Sequence, residues 1–145
     1  MNAPLYNVTI LRLAASIPHG ERLADPEGSA ERRSPVCGSR VTVDVRMDGE
    51  GRVAALGQDV RACALGQASA NLMASHAIGR TPAELDAARD ALTGWLAGTR
   101  ADPGDWPGLD VFAPALSHSA RHASIRLAFE AVAEAAAQAV ARGDG

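Results

Sequence analysis

One abrupt change of hydrophobic period, at Cys63–Ala64, limits what this chain can fold into. Before it, Val41, Val43, Val45 and Met47 alternate with Thr42, Asp44, Arg46 and Asp48, the two-residue repeat of a half-buried strand. Asp48-Gly49-Glu50-Gly51 supplies hairpin-turn chemistry, because glycine tolerates positive φ. A weaker return strand is predicted from Arg52 to about Gln58. A short edge strand near Ala30 to Ser34 lies inside the Pro-, Gly- and Ser-rich stretch from Pro18 to Pro35. After the change, Leu65, Ala68, Leu72 and Met73 share a helical face that Gly79 closes. Thr81-Pro82-Ala83-Glu84 opens the next helix with an N-cap, a proline at the first helical position and an acid three residues on. Its stripe is Leu85, Ala88, Leu92, Trp95 and Leu96. Gly98 to Gly108 reads as an exposed loop. A last long helix is expected from about Ser119 to Ala141, with Ile125, Phe129, Val132, Ala136 and Val140 inward. A first helix lies within Leu5 to Ile17, broken by Pro18 and Gly20. With no internal repeat and no boundary, residues 1–145 read as one α+β domain: a small antiparallel sheet of about three strands with helices packed on one face.

Composition narrows the function classes. A chain of 145 residues with 47% apolar side chains is long enough to bury a core. Net charge is −3 and no basic tract is present, so nucleic acid is not an expected partner. No apolar run approaches the roughly 20 residues that cross a bilayer. The apolar stretch Val8 to Ile17 is interrupted by Arg12 and lacks a basic region before it, unlike a secretory signal. A cytoplasmic, membrane-free protein is expected. Every basic residue is arginine, which removes Schiff-base and P-loop chemistry, both dependent on lysine. Arg32, Arg33, Arg40, Arg61 and Arg121 read as solvated surface or as a face for an acidic partner.

The two cysteines stand 26 positions apart, so they form neither a CxxC redox pair nor half of a zinc ribbon. Cys37 lies in Ser34-Pro35-Val36-Cys37-Gly38-Ser39, just ahead of the strongest strand. Cys63 lies in Arg61-Ala62-Cys63-Ala64-Leu65-Gly66, at a helix start. A helix N-terminus offers free N–H groups to an anion such as a thiolate, and the glycines beside both cysteines let a ligand approach the backbone. The plain alternative for each is a small buried hydrophobe. His118 and His122 are four residues apart, one face of a helix if the stretch is helical. They are candidate metal ligands or solvated residues at a helix start. His76 reads as surface, and His19 carries no chemistry. Two thiols with one or two imidazoles suit zinc or iron–sulfur chemistry over magnesium or calcium. A Cys–His hydrolase or transferase lacks a supporting oxyanion or elbow motif.

The segment Ser34-Pro35-Val36-Cys37-Gly38-Ser39, followed by the alternating strand and Asp-Gly hairpin, resembles the first ligand segment of the U-type iron–sulfur cluster assembly scaffolds. That family comprises IscU, SufU and the N-terminal domain of NifU. Cys63-Ala64-Leu65-Gly66-Gln67-Ala68-Ser69-Ala70-Asn71-Leu72-Met73 resembles its second segment, and Ile78-Gly79-Arg80-Thr81 its helix break. Ala120-Arg121-His122-Ala123-Ser124-Ile125 is similar to the third. The likeness runs from Tyr6 to about Val132, and the loop before the third segment is nearer to SufU than to IscU. Ser39 stands where the family has the aspartate of Cys-Gly-Asp, and His122 where it has the third cysteine. The Leu-Pro-Pro-Val-Lys segment through which IscU engages its chaperone is replaced near Leu116-Ser117-His118-Ser119.

The resemblance implies a non-enzymatic scaffold or carrier. Cys37, Cys63 and His122 would face the metal, and Ser39 would take the altered fourth position; His118 is a further candidate ligand that nothing in the family pattern asks for. Cys37 and Cys63 would also be persulfide acceptors. Sulfur would come from a cysteine desulfurase, and the cluster would pass to apo iron–sulfur client proteins. Serine for aspartate implies slower exchange of bound metal, or a water in the site. Histidine for cysteine implies a harder, less negative ligand field. A zinc-binding sulfur acceptor of SufU type, and an interaction module that has lost its metal, are the alternatives.

Overall fold

The computed structural model describes residues 5–35 and 38–143, and the valine–cysteine pair 36–37 lies outside them. The strand periodicity produces a three-stranded antiparallel sheet in the order β1 (Gly28–Arg33), β2 (Arg40–Met47), β3 (Val53–Arg61). Asp48 makes the β2–β3 turn: its carboxylate accepts the Glu50 and Arg52 amides at 2.8 and 3.0 Å, and Gly51 takes φ +77°. The return strand continues to Arg61, three residues beyond its expected end, because each added residue pairs with β2 as far as Arg40.

Among the described residues, four α-helices surround one face: α1 (Val8–Ala15), α2 (Ala64–Ala77), α3 (Pro82–Leu96) and α4 (His122–Gly143). Asn7 caps α1, and Thr81 with Glu84 forms the reciprocal capping box of α3 that the sequence announces. Val41, Val43 and Val45 point into the core with Leu65, Met73, Ile125 and Phe129. Helix α4 lies across β1 and β2, and α2 runs between α1 and α4. At Gly28 a Cβ would fall 1.9 Å from the Ala135 carbonyl oxygen, so only glycine allows α4 to sit this close.

Three expectations need correction. The stretch from Gly98 to Gly108 is not simply exposed. Trp106 is buried, donates Nε1–H to the Leu72 carbonyl at 2.8 Å, and stands edge-on to Phe129. A large aromatic with a polar handle docks wherever one end finds a core and the other an acceptor. Val140 is exposed, not inward. Residues Ser119–Arg121 form a 3-10 turn, so the α-helix begins at His122.

The second face of the sheet is polar and partly covered. Ser29, Asp44 and Gly57 lie abreast on it, and the segment from His19 to Leu23 crosses over them. A Cβ at Gly57 would fall 2.3 Å from the Glu21 carbonyl oxygen. Asp44 is fully buried and accepts from Arg22 Nε (2.6 Å), Arg22 Nη2 (3.0 Å), Ser29 Oγ (2.6 Å) and the Leu23 amide (3.0 Å). Burial pushes its carboxyl up, but the guanidinium, the hydroxyl and the amide together outweigh that and hold it below the usual aspartate range. A depressed carboxylate contributes stability above its unfolded pKa, and that stability is lost as pH falls through the folded value. We therefore expect Asp44→Ala to cost about 3 kcal/mol in urea unfolding. The wild type should lose stability below about pH 4, and Asp44→Asn should abolish that part of the acid dependence.

Candidate functional site

The site assembles at the end of the sheet where β1 stops, β2 starts and β3 stops. Arg33, Arg40 and Arg61 are paired abreast there. The β1–β2 connection is closed by two backbone hydrogen bonds. The Ser34 amide donates to the Ser39 carbonyl at 2.9 Å, and the Gly38 amide to the Ser34 carbonyl at 3.0 Å. Gly38 takes φ +73° with nothing within 4 Å of a would-be Cβ, so glycine is needed here for conformation and not for space. Cys37, the first candidate ligand, belongs to this connection but lies outside the described residues.

Two residues after β3 ends, Cys63 is the N-cap of α2, partly exposed and without a side-chain cap hydrogen bond. The first turn of α2 packs on the first turn of α4. A Cβ at Gly66 would lie 2.7 Å from Ala62 Cβ and 3.3 Å from the Ser124 carbonyl oxygen. One turn further on, the Ser69 hydroxyl donates to the Ile125 carbonyl at 2.6 Å. Ser124 also reaches the segment before β2: its hydroxyl is 3.4 Å from that of Ser39, and both are buried. The segments carrying Ser39, Cys63 and His122 therefore share one end of the molecule.

His122 opens α4, is 8% exposed, and has Nε2 2.8 Å from the Ala115 carbonyl oxygen. A carbonyl can only accept, so Nε2 carries the proton and Nδ1 keeps a lone pair. Metal-binding histidines are commonly oriented by such a bond from the other ring nitrogen. His118 takes a different position. It is exposed and precedes the 3-10 turn, so the one-face pairing expected from a continuous helix does not form. His76 stands edge-on to Trp106 at 6.4 Å between ring centroids. Among the described residues, no group of three His, Cys, Asp or Glu side chains is placed to hold a metal.

Sequence reasoning missed Ser124, the Ala115 carbonyl and the structural part played by Gly66. Only Gly66 left a signal, since a glycine inside a helical pattern often marks a close approach. Ser34 Oγ is buried at the foot of the β1–β2 connection with no partner among the described residues.

Solved structures share this fold. The N-terminal part of a nitrogen-fixing NifU-like protein from Brucella abortus is 40% identical, with a TM-score of 0.87 over 94% of this chain and 95% of its own. A SUF-system iron–sulfur cluster assembly scaffold protein from Fervidobacterium islandicum is 20% identical, with a TM-score of 0.83 over 91% and 96% of the two chains. A further structure, of a hypothetical protein, is 21% identical with a TM-score of 0.78 over 92% and 97%. The last two speak to the fold alone. No protein-family model and no curated protein matches the chain.

The Gly66 contact can be tested by sign. Alanine at an unconstrained helical glycine stabilises by about 1 kcal/mol, whereas Gly66→Ala here should destabilise, because its Cβ would collide with Ala62 Cβ and crowd the Ser124 carbonyl. Urea unfolding of the variant checks this, and Gly66→Val should cost more, about 1–3 kcal/mol.

Proposed function

This chain belongs to the NifU-like family of U-type iron–sulfur cluster assembly scaffolds, and on that premise we propose that it holds a nascent cluster through Cys37, Cys63 and His122. The cluster is cargo, received as sulfur and iron and handed to an apo-protein, so the role is that of a carrier and not of a catalyst. One observation carries the reading. Ser124 touches both Ser39 and the first turn of α2, so the segments bearing the candidate ligands meet at one accessible end.

The donor set fits such cargo. Thiolates and a neutral imidazole are the soft and borderline ligands that iron–sulfur chemistry uses. The bond from His122 Nε2–H to Ala115 orients the ring and leaves Nδ1 as its donor atom. Ser39 occupies the fourth position as a buried neutral hydroxyl, a weaker donor than a carboxylate. His118, exposed and outside α4, is at most an auxiliary group. Compared with three thiolates and an aspartate, this set carries two fewer negative charges, which raises the reduction potential of bound iron, as histidine ligation does in Rieske centres.

Sulfur would arrive from a cysteine desulfurase carrying a persulfide. A thiolate of Cys63 or Cys37 attacks the outer sulfur, a new S–S bond forms on this chain, and the desulfurase cysteine leaves as its thiolate. Cys63 is partly exposed beside the chain end of β3, as a partner-accessible acceptor must be. No helix among the described residues is long and apolar enough to cross a membrane, and we place the protein in the cytoplasm.

Anaerobic reconstitution with iron and sulfide, followed by visible absorption and metal analysis, tests the assignment. Cys37→Ala, Cys63→Ala and His122→Ala should each lose the chromophore while keeping the wild-type circular dichroism. His122→Cys should retain it. Equal iron in the wild type and all three alanine variants contradicts the ligand set. Colourless protein purified with stoichiometric zinc and resistant to iron loading would identify a SufU-type sulfur acceptor instead.

A further inference from the structure

We propose that the row of arginines across the open end of the sheet is a docking surface for an acidic segment of the protein that exchanges sulfur or cluster with the adjoining site, an inference that rests on the scaffold reading above. Arg33, Arg40 and Arg61 are cross-strand partners, one from each strand. Directly opposed side chains stand about 5 Å apart, so the row spans about 10 Å. Like charges placed abreast destabilise a sheet. The next row on the same face, Glu31, Thr42 and Asp59, relieves this only in part. Glu31 accepts from Arg33 at 2.8 Å and lies 3.8 Å from Arg40, while Asp59 lies 3.3 Å from Arg61. Two carboxylates thus serve three guanidinium groups. The outer two arginine side chains remain about two-thirds exposed, at 66% and 67%.

Position supplies the second argument. The three arginines, with Ser34, Pro35 and Gly38, line an open groove of about 630 Å³. Pro35 and Gly38 flank the connection that carries Cys37, and Arg61 is two residues from Cys63. A protein reaching the Cys63 thiol comes within two residues of this row. An arginine fork matches the two oxygens of a carboxylate, or of a phosphate, bidentately. A line of three at fixed spacing suits successive acids on an extended segment better than one small anion, and such complementarity speeds encounter and selects the partner. Nearby arginines are otherwise engaged: Arg22 pairs with Asp44, and Arg32 with Glu130 and Glu134.

The test uses a fluorescein-labelled hexaglutamate peptide as the probe, read by anisotropy at low salt. Arg33→Gln/Arg40→Gln/Arg61→Gln should bind it at least tenfold more weakly than wild type. A charge-matched control, Arg12→Gln/Arg46→Gln/Arg100→Gln, should stay within twofold. Glu31→Gln, which frees Arg33 and Arg40, should bind more tightly. If the triple variant fails to fold, Arg61→Gln alone, at the exposed end of β3, should still weaken binding. Equal weakening in the row and control variants, or no binding to wild type, overturns the proposal. So does displacement of the peptide by inorganic phosphate at matched ionic strength with an affinity as high as the peptide's. Iron retention of the row variant should match wild type, so the peptide readout fails or succeeds independently of the cysteine and histidine variants that test the scaffold reading.

Discussion

The seating of α4 on the sheet decides where everything else falls. The helix crosses β1 and β2 at a distance that only Gly28 permits, and its inward residues Ile125, Ala128, Phe129 and Val132 are all but fully buried. Packed cores are dense and resist sliding, so this contact fixes the helix in rotation and along its axis. Its first turn is thereby held beside the start of β2 and the start of α2. Ser124 touches Ser39 and the Gly66 turn because the helix has nowhere else to sit. His122, two residues earlier, inherits its place from the same packing and its ring orientation from Ala115.

The opposite face of the sheet solves a different problem. A three-stranded sheet with helices on one side leaves a polar face, and here the chain between α1 and β1 folds over it. Asp44 holds that segment through three hydrogen bonds, two of them a bidentate pair from Arg22. Gly57 removes the side chain that would hold the segment away. This pin lies toward the interior of the strands and leaves the end at Arg33, Arg40 and Arg61 open. Rigidity and access are separated along the strands: the acid–arginine clamp in the middle, the open arginine row at the end. A scaffold needs both, since the site must keep its shape while partners come and go.

Much of the fold was legible in the chain because local signals and tertiary contacts agree. The Val41–Met47 alternation became β2, the Asp48–Gly51 turn its hairpin, and Thr81–Glu84 a full capping box. Trp106 was misread because Pro103, Gly104 and Pro107 around it signal a loop, and no local pattern says that a loop residue finds an acceptor on Leu72. The His118–His122 pairing assumed a continuous helix. The 3-10 turn at Ser119–Arg121 changes the rotation per residue, so a spacing of four no longer means one face. The family was legible in the two cysteine segments and the third segment around His122. The contacts that draw those segments together were not, because Ser39, Gly66 and Ser124 meet only through long-range packing.

The central claim is the proposal that a nitrogen of His122 and the thiolates of both cysteines bind one iron–sulfur cluster. Iron-edge X-ray absorption of the anaerobically reconstituted protein tests it most directly. A mixed sulfur and nitrogen shell with imidazole outer-shell scattering is predicted, lost in His122→Cys and unchanged in His118→Ala. A spectrum with no imidazole contribution in the wild type, or one that survives in His122→Cys, would contradict it.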